Sequence, residues 1–200
     1  MFAIGINNSR PREYVVSVLA VSITSVALAE IGDKTQLLSL LLASRYRKPF
    51  PIICAIFLAT IVNHALAAWL GVAIADYLTP NILKWVLVVS FILMAGWILI
   101  PDKLGDEEKL SNRGPFIASF IAFFIAEIGD KTQIATTMLG AKYHDALMWV
   151  VLGTTIGMLL ANVPVVLIGK LSAEKMPLGL IRKITAALFI FLAVGAAFGM

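Results

Sequence analysis

The octapeptide Ala-Glu-Ile-Gly-Asp-Lys-Thr-Gln occurs twice, at 29–36 and, letter for letter, at 126–133. The offset is 97 residues (127 − 30). Each copy sets three charged side chains inside a long apolar run: Glu30, Asp33 and Lys34 in the first, Glu127, Asp130 and Lys131 in the second. An isolated charge at the centre of a membrane span costs roughly 2.5–3.5 kcal/mol. Six of them would cost roughly 15–20 kcal/mol before any pairing. A chain with this pattern must fold so that the charges meet one another or an ion. Similarity continues downstream, with LLASRY at 41–46 against MLGAKY at 138–143, and then weakens. Eight identical residues in a row do not recur by chance, so the chain is a duplicated unit.

Composition decides whether the apolar runs lie in a bilayer. Apolar residues make up 60% of the 200 and charged residues 14%, with a mean hydropathy of +0.93. Soluble domains carry about 25% charge. A soluble chain this short has no interior large enough to hide the remainder. Runs of about 20 apolar residues read as spans, and six are predicted at about 14–43, 50–75, 82–100, 115–140, 146–169 and 180–199. The glycine within each motif, Gly32 or Gly129, predicts a kink or break in the first and fourth spans. Irregular backbone at membrane depth is tolerated only beside protein or a polar cavity. Each motif opens a unit of three spans, and an odd number makes the second unit enter from the opposite face. The expected fold is an all-α membrane protein of six transmembrane helices arranged as two inverted three-helix repeats. The expected divisions are a polar head at 1–13, a first repeat at 14–100, a central cytoplasmic loop at 101–114 and a second repeat at 115–200.

The net charge of +4 reads as topology. Ten Lys and Arg flank the loops after spans 1, 3 and 5, against Arg10, Arg12, Lys84 and Lys142 on the other side. The positive-inside rule makes the richer side cytoplasmic and both termini periplasmic. No basic stripe with interleaved aromatics is present, which argues against nucleic acid. The single cysteine, Cys54, excludes an internal disulfide and a thiolate cluster. The run after the polar head lacks a small-residue cleavage site and reads as a retained span.

The motifs define the candidate site. Glu30, Asp33, Glu127 and Asp130 are the candidate metal ligands, and Thr35, Gln36, Thr132, Gln133, Asn63 and Asn162 are candidate additional oxygen donors. Lys34 and Lys131 are charge-balancing, each four residues from a glutamate and able to pair with it along one helical face. One lysine offsets only one of two carboxylates, so salt bridges alone do not account for the motif. Four carboxylates and two ammonium groups leave −2, which one divalent cation or two protons would neutralise. The motifs hold no Cys or His, and hard oxygen donors suit Mn²⁺, Ca²⁺ and Mg²⁺. His64 lies in the second predicted span, where a lone histidine is more often a helix–helix hydrogen-bonder than a ligand. The same bland reading applies to Asn63 and Asn162 and stands beside the ligand reading. Pro164 predicts a kink in the fifth span. The GxxxG spacings at Gly153–Gly157 and Gly195–Gly199 predict close helix packing and give weak support for a homo-oligomer. Trp69, Trp85, Trp97 and Trp149 lie near span ends, as interfacial anchors would. Gly-Asp-Lys-Thr lacks the spacing of a phosphate-binding loop. No nucleophile–base set is present, so neither an ATP-driven pump nor an enzyme is expected.

Two E-x-G-D-K-T motifs, one per half, resemble the family of MneA-type bacterial manganese exporters and Golgi calcium/manganese:proton transporters. LLSLLLASRYRKP, GTTIGMLLANVPVV and KMPLGLIRK resemble its manganese branch. The resemblance covers nearly the whole chain and implies a secondary transporter exporting Mn²⁺ across the inner membrane, with protons as counter-ion. It implies no resident cofactor, a divalent ion and membrane lipid as partners, and the four motif carboxylates on the ion. A Ca²⁺/H⁺ exchanger of the same family is the alternative, and a structural membrane protein with buried salt bridges a weaker one.

Overall fold

A computed structural model of the chain describes residues 11–100, 114–168 and 178–198. The described residues form eight α-helices and one 3₁₀ turn: α1 (Pro11–Glu30), α2 (Lys34–Tyr46), α3 (Pro49–Tyr77), α4 (Pro80–Ile98), α5 (Pro115–Glu127), α6 (Lys131–Lys142), the turn His144–Ala146, α7 (Leu147–Ile168) and α8 (Leu178–Phe198). Most of the expected polar head and nearly all of the central loop fall outside the described residues.

The helix starts follow local chemistry. Pro49, Pro80 and Pro115 occupy the first turns of α3, α4 and α5, where the missing N–H has no intrahelical acceptor to lose. Five helical stretches are long and apolar enough to cross a membrane: Arg12–Glu30, Pro49–Tyr77, Pro80–Ile98, His144–Ile168 and Leu178–Phe198. Helix α5 is equally apolar, but its 13 residues reach only about 20 Å, short of a hydrocarbon core of about 30 Å. Large apolar side chains cover the outside, among them Leu66, Trp69, Leu93, Leu160 and Phe191. Such a surface suits acyl chains and not water.

The helices pair in a regular way. α1 packs on α7, α3 packs on α5 and α6, and α4 packs on α8. The last contact includes Phe91 and Phe189, with ring centroids 6.1 Å apart. Apolar side chains gain little by leaving lipid for a helix interface, so close backbone approach through small residues carries much of the packing. Gly153 and Gly157 face α1: a Cβ at Gly157 would lie 2.7 Å from the Ile23 carbonyl oxygen. Gly71 and Gly140 do the same between α3 and α6, where a Cβ at Gly71 would lie 2.0 Å from the Thr137 carbonyl oxygen. The Gly153–Gly157 spacing therefore serves packing within the chain. Among the described residues, Gly195 has nothing within 4 Å of an added Cβ and makes no such contact.

These two environments set a contrast. Gly71→Ala should destabilise the detergent-solubilised protein by about 1–3 kcal/mol through overpacking. Gly195→Ala, which removes a helix-weakening glycine in open space, should leave stability unchanged or raise it by up to about 1 kcal/mol. Thermal unfolding of the two variants beside the parent checks the order.

Candidate ion site

Each motif is a helix break of the same form. α1 ends at Glu30 and α2 begins at Lys34; α5 ends at Glu127 and α6 begins at Lys131. Gly32 and Gly129 take φ +81 and +72, a conformation that side chains on Cβ disfavour. Asp33 and Asp130 follow as N-caps with nearly identical dihedrals (−85, 167 and −82, 166). The freed amides are satisfied in the same way in both copies. Asp33 N donates to the Glu30 carbonyl at 3.0 Å and Asp130 N to the Glu127 carbonyl at 3.2 Å. Gly32 N donates to Gln36 Oε1 at 2.9 Å and Gly129 N to Gln133 Oε1 at 2.6 Å. Thr35 Oγ1 donates to Glu30 Oε2, and Thr132 Oγ1 to Glu127 Oε2 at 3.3 Å. Both aspartates thus sit at helix N-termini, where the macrodipole favours negative charge.

The break changes the expected ion pairing. An unbroken helix would put Glu30 beside Lys34 and Glu127 beside Lys131. Three non-helical residues between them remove that register. Lys34 Nζ instead lies 3.3 Å from Asp130 Oδ2, across the two copies. Lys131 Nζ donates to the Ile100 carbonyl at 3.0 Å and stands 5.9 Å from the centroid of the Trp97 ring. Trp97, expected as an interfacial anchor, meets a motif lysine here. The two motifs therefore meet in the interior. Glu30 and Glu127 are wholly buried, Asp33, Asp130 and Lys131 nearly so, and Lys34 keeps 28% of its side chain exposed. Glu127 and Asp130 are within Coulombic range of Glu30, and Lys34 of Glu127.

Helices α7 and α3 brace the motifs, and they do so unequally. On α7, Asn162 Nδ2 donates to Glu30 Oε2 at 3.2 Å, and Asn162 Oδ1 accepts from Ser39 Oγ at 2.8 Å. The same amide lies 3.2 Å from the Met158 carbonyl and 3.0 Å from its sulfur. Gln36 Nε2 donates to the Ala161 carbonyl at 3.0 Å. On α3, Asn63 Nδ2 donates to the Phe124 carbonyl at 3.2 Å, its one bond among the described residues. Thr136, at the repeat offset from Ser39, is buried with its hydroxyl unbonded. Next to Asn63, His64 is wholly buried, and its Nε2 lies 3.7 Å from Glu127 Oε2. The surroundings of the two glutamines also differ. A crevice of ≈ 410 Å³ between α3, α4 and α6 reaches Gln133, whereas the one beside Gln36 and Pro164 holds ≈ 150 Å³.

All ten sequence-predicted donors lie in or against the two breaks. The amide oxygens of Gln36 and Gln133 each accept one glycine amide, which leaves each a second lone pair. Glu30 Oε1 and Glu127 Oε1 accept no hydrogen bond among the described residues. Among the described residues, no group of three His, Cys, Asp or Glu side chains is already gathered as a metal cluster. Ser39 escaped the sequence reading, although a hydroxyl residue recurs at its repeat offset as Thr136 and could have marked it.

A family profile described as "Divalent cation/proton antiporter GDT1" matches residues 18–106 and 115–200. The chain is 77% identical to the "Putative manganese exporter" of Vibrio cholerae over 99% of its own length and 100% of that protein's. It is 27% identical to GDT1-like protein 3 of Oryza sativa, over 90% of this chain and 73% of the rice protein. With GDT1-like protein 5 of Arabidopsis thaliana it shares 28% identity, over 86% of this chain and 92% of that one. No solved structure matches.

The unequal bracing sets an order of sensitivity. Asn162→Ala strips partners from buried Glu30 and Ser39 and should cost about 1–3 kcal/mol for the groups left unsatisfied. Asn63→Ala loses one bond to a backbone carbonyl and should cost about 1 kcal/mol. Metal-free thermal unfolding of both variants checks the difference.

Proposed function

The chain belongs to the GDT1 family of divalent cation/proton antiporters, and we propose that it exports Mn²⁺ across the bacterial inner membrane in exchange for protons. It is a multi-pass membrane protein and a transporter of divalent cations, not an enzyme. The observation that carries the finer reading is the ion pair between Lys34 and Asp130, at 3.3 Å, which joins the two motifs in a buried setting. Glu30, Asp33, Glu127 and Asp130 supply the oxygen donors, with the Thr35 and Thr132 hydroxyls holding the glutamates in place. Lys34 and Lys131 reduce the excess negative charge to −2. One Mn²⁺ neutralises that remainder, and so do two protons. An exchanger needs both loaded states and a barrier against crossing empty, and the cost of buried uncompensated charge supplies that barrier.

The architecture that supports this reading has six crossings: α1 with α2, α3, α4, α5 with α6, α7, and α8. They form two inverted units, at 14–100 and 115–200. Each broken helix packs on the second long helix of the other unit, and the third helices α4 and α8 pack together. That exchange of partners suits a site at the interface between repeats. The lysine and arginine bias places both termini in the periplasm. The choice of Mn²⁺ leans on the Vibrio relative's name. The all-oxygen motifs would equally suit Ca²⁺, which is the second reading.

Purified protein in liposomes tests this. With an acidic lumen, Mn²⁺ uptake should accelerate, and the lumen should alkalinise as the metal enters. Asp130→Asn, which removes the partner of Lys34, should bring flux down to the level of empty liposomes while leaving the protein inserted. Flux that ignores the pH gradient removes proton coupling. A Ca²⁺ rate above the Mn²⁺ rate at equal concentration favours the second reading.

A further inference from the structure

We propose that His64 is a specificity-determining ligand of the transported cation, adding one nitrogen donor beside Glu127 and favouring Mn²⁺ over Ca²⁺ and Mg²⁺. The inference rests on the cation-exchange reading above and deepens it. His64 is wholly buried in α3, and neither ring nitrogen has a hydrogen-bond partner among the described residues. Buried polar atoms rarely go unpartnered, and those that do call for an explanation such as an ion or water. A helix–helix hydrogen bond, the ordinary role of an intramembrane histidine, is therefore not what holds this side chain.

The spacing fits an ion between the two groups. His64 Nε2 and Glu127 Oε2 are 3.7 Å apart, too far for a hydrogen bond. Two donors each about 2.1 Å from a metal lie about 3.0 Å apart at a right angle and about 3.4 Å apart at a tetrahedral angle. A closure of a few tenths of an ångström would put both on one ion. Glu127 Oε1 also accepts no hydrogen bond, so the carboxylate retains donor capacity.

The two asparagines that brace the motifs have unlike neighbours. α3 carries Asn63-His64 and α7 carries Asn162-Val163, 99 residues on (162 − 63), two more than the motif offset. Asn162 spends its amide on Glu30, at 3.2 Å. Asn63 turns to the Phe124 carbonyl instead, and His64 is the side chain left facing Glu127. The two halves thus offer an ion different surroundings: amide-braced oxygen on one side, and oxygen with imidazole on the other. Ca²⁺ and Mg²⁺ are oxygen-seeking ions; Mn²⁺ also takes oxygen ligands but, as a first-row transition metal, binds nitrogen donors as well. A single nitrogen donor is the simplest way to make an otherwise all-oxygen site prefer Mn²⁺.

Pulsed electron paramagnetic resonance of Mn²⁺ bound to the full chain reads the bond directly. Wild-type protein should show ¹⁴N modulation from a coordinated imidazole, shifted by ¹⁵N-histidine labelling and absent in His64→Gln. His144, the other histidine, lies in the 3₁₀ turn and should not contribute. In liposomes, His64→Gln should lower the Mn²⁺:Ca²⁺ flux ratio by about tenfold while Ca²⁺ flux persists, which also shows that the variant is folded. Bound Mn²⁺ without imidazole modulation overturns the inference. So does an unchanged flux ratio, or equal loss of both ions, which would assign His64 a structural role. Wild-type protein that moves neither ion overturns the cation-exchange reading itself.

Discussion

Every feature of the interior answers one constraint: charge at membrane depth must be neutralised locally. Lys34 of the first motif meets Asp130 of the second at 3.3 Å, so neither copy is electrostatically complete alone. The pair crosses the repeats because each helix stops between its glutamate and its lysine. Gly32 and Gly129 permit that stop with positive φ. Each break then satisfies its own amides through Gln36 or Gln133 and fixes its glutamate through Thr35 or Thr132. The seven residues from glutamate to glutamine thus encode a self-contained break and a hydroxyl clamp, and in the first copy a lysine that reaches the aspartate of the second.

The copies share backbone geometry and differ in bracing. Among the described residues, α7 holds the first break through bonds at Asn162, Ser39 and Gln36, while α3 offers the second a single amide bond and leaves Thr136 unbonded. The looser side also has the larger crevice, at Gln133. Identical motifs in unequal surroundings would suit the proposed exchanger, in which two repeats alternate between access states. The free energy separating such states need be only a few kcal/mol, comparable to the few hydrogen bonds by which the two sides differ.

Much of this was legible in the sequence because the strongest signals were local. The repeated octapeptide, the buried charges and the glycine in each motif announced two broken helices, and α1/α2 and α5/α6 break at those glycines. The span ends were readable to a few residues because Pro49, Pro80 and Pro115 mark helix starts. What was not legible was which lysine serves which carboxylate. Spacing along an intact helix pairs Glu30 with Lys34, and only the break and the packing of one half on the other redirect Lys34 to Asp130. The structural part played by Gln36 and Gln133 was not legible for the same reason: a broken helix exposes a glycine amide, and each glutamine oxygen accepts it. A lone intramembrane histidine is ordinary in the sequence; only the fold shows that His64 has no hydrogen-bond partner among the described residues.

The central claim is that two motifs build one site for one ion. Equilibrium binding of Mn²⁺ to the purified chain tests it most directly. The account predicts a single high-affinity ion per chain, lost when either Asp33 or Asp130 is replaced by asparagine. Two ions per chain, each surviving the loss of the other motif's aspartate, would contradict it.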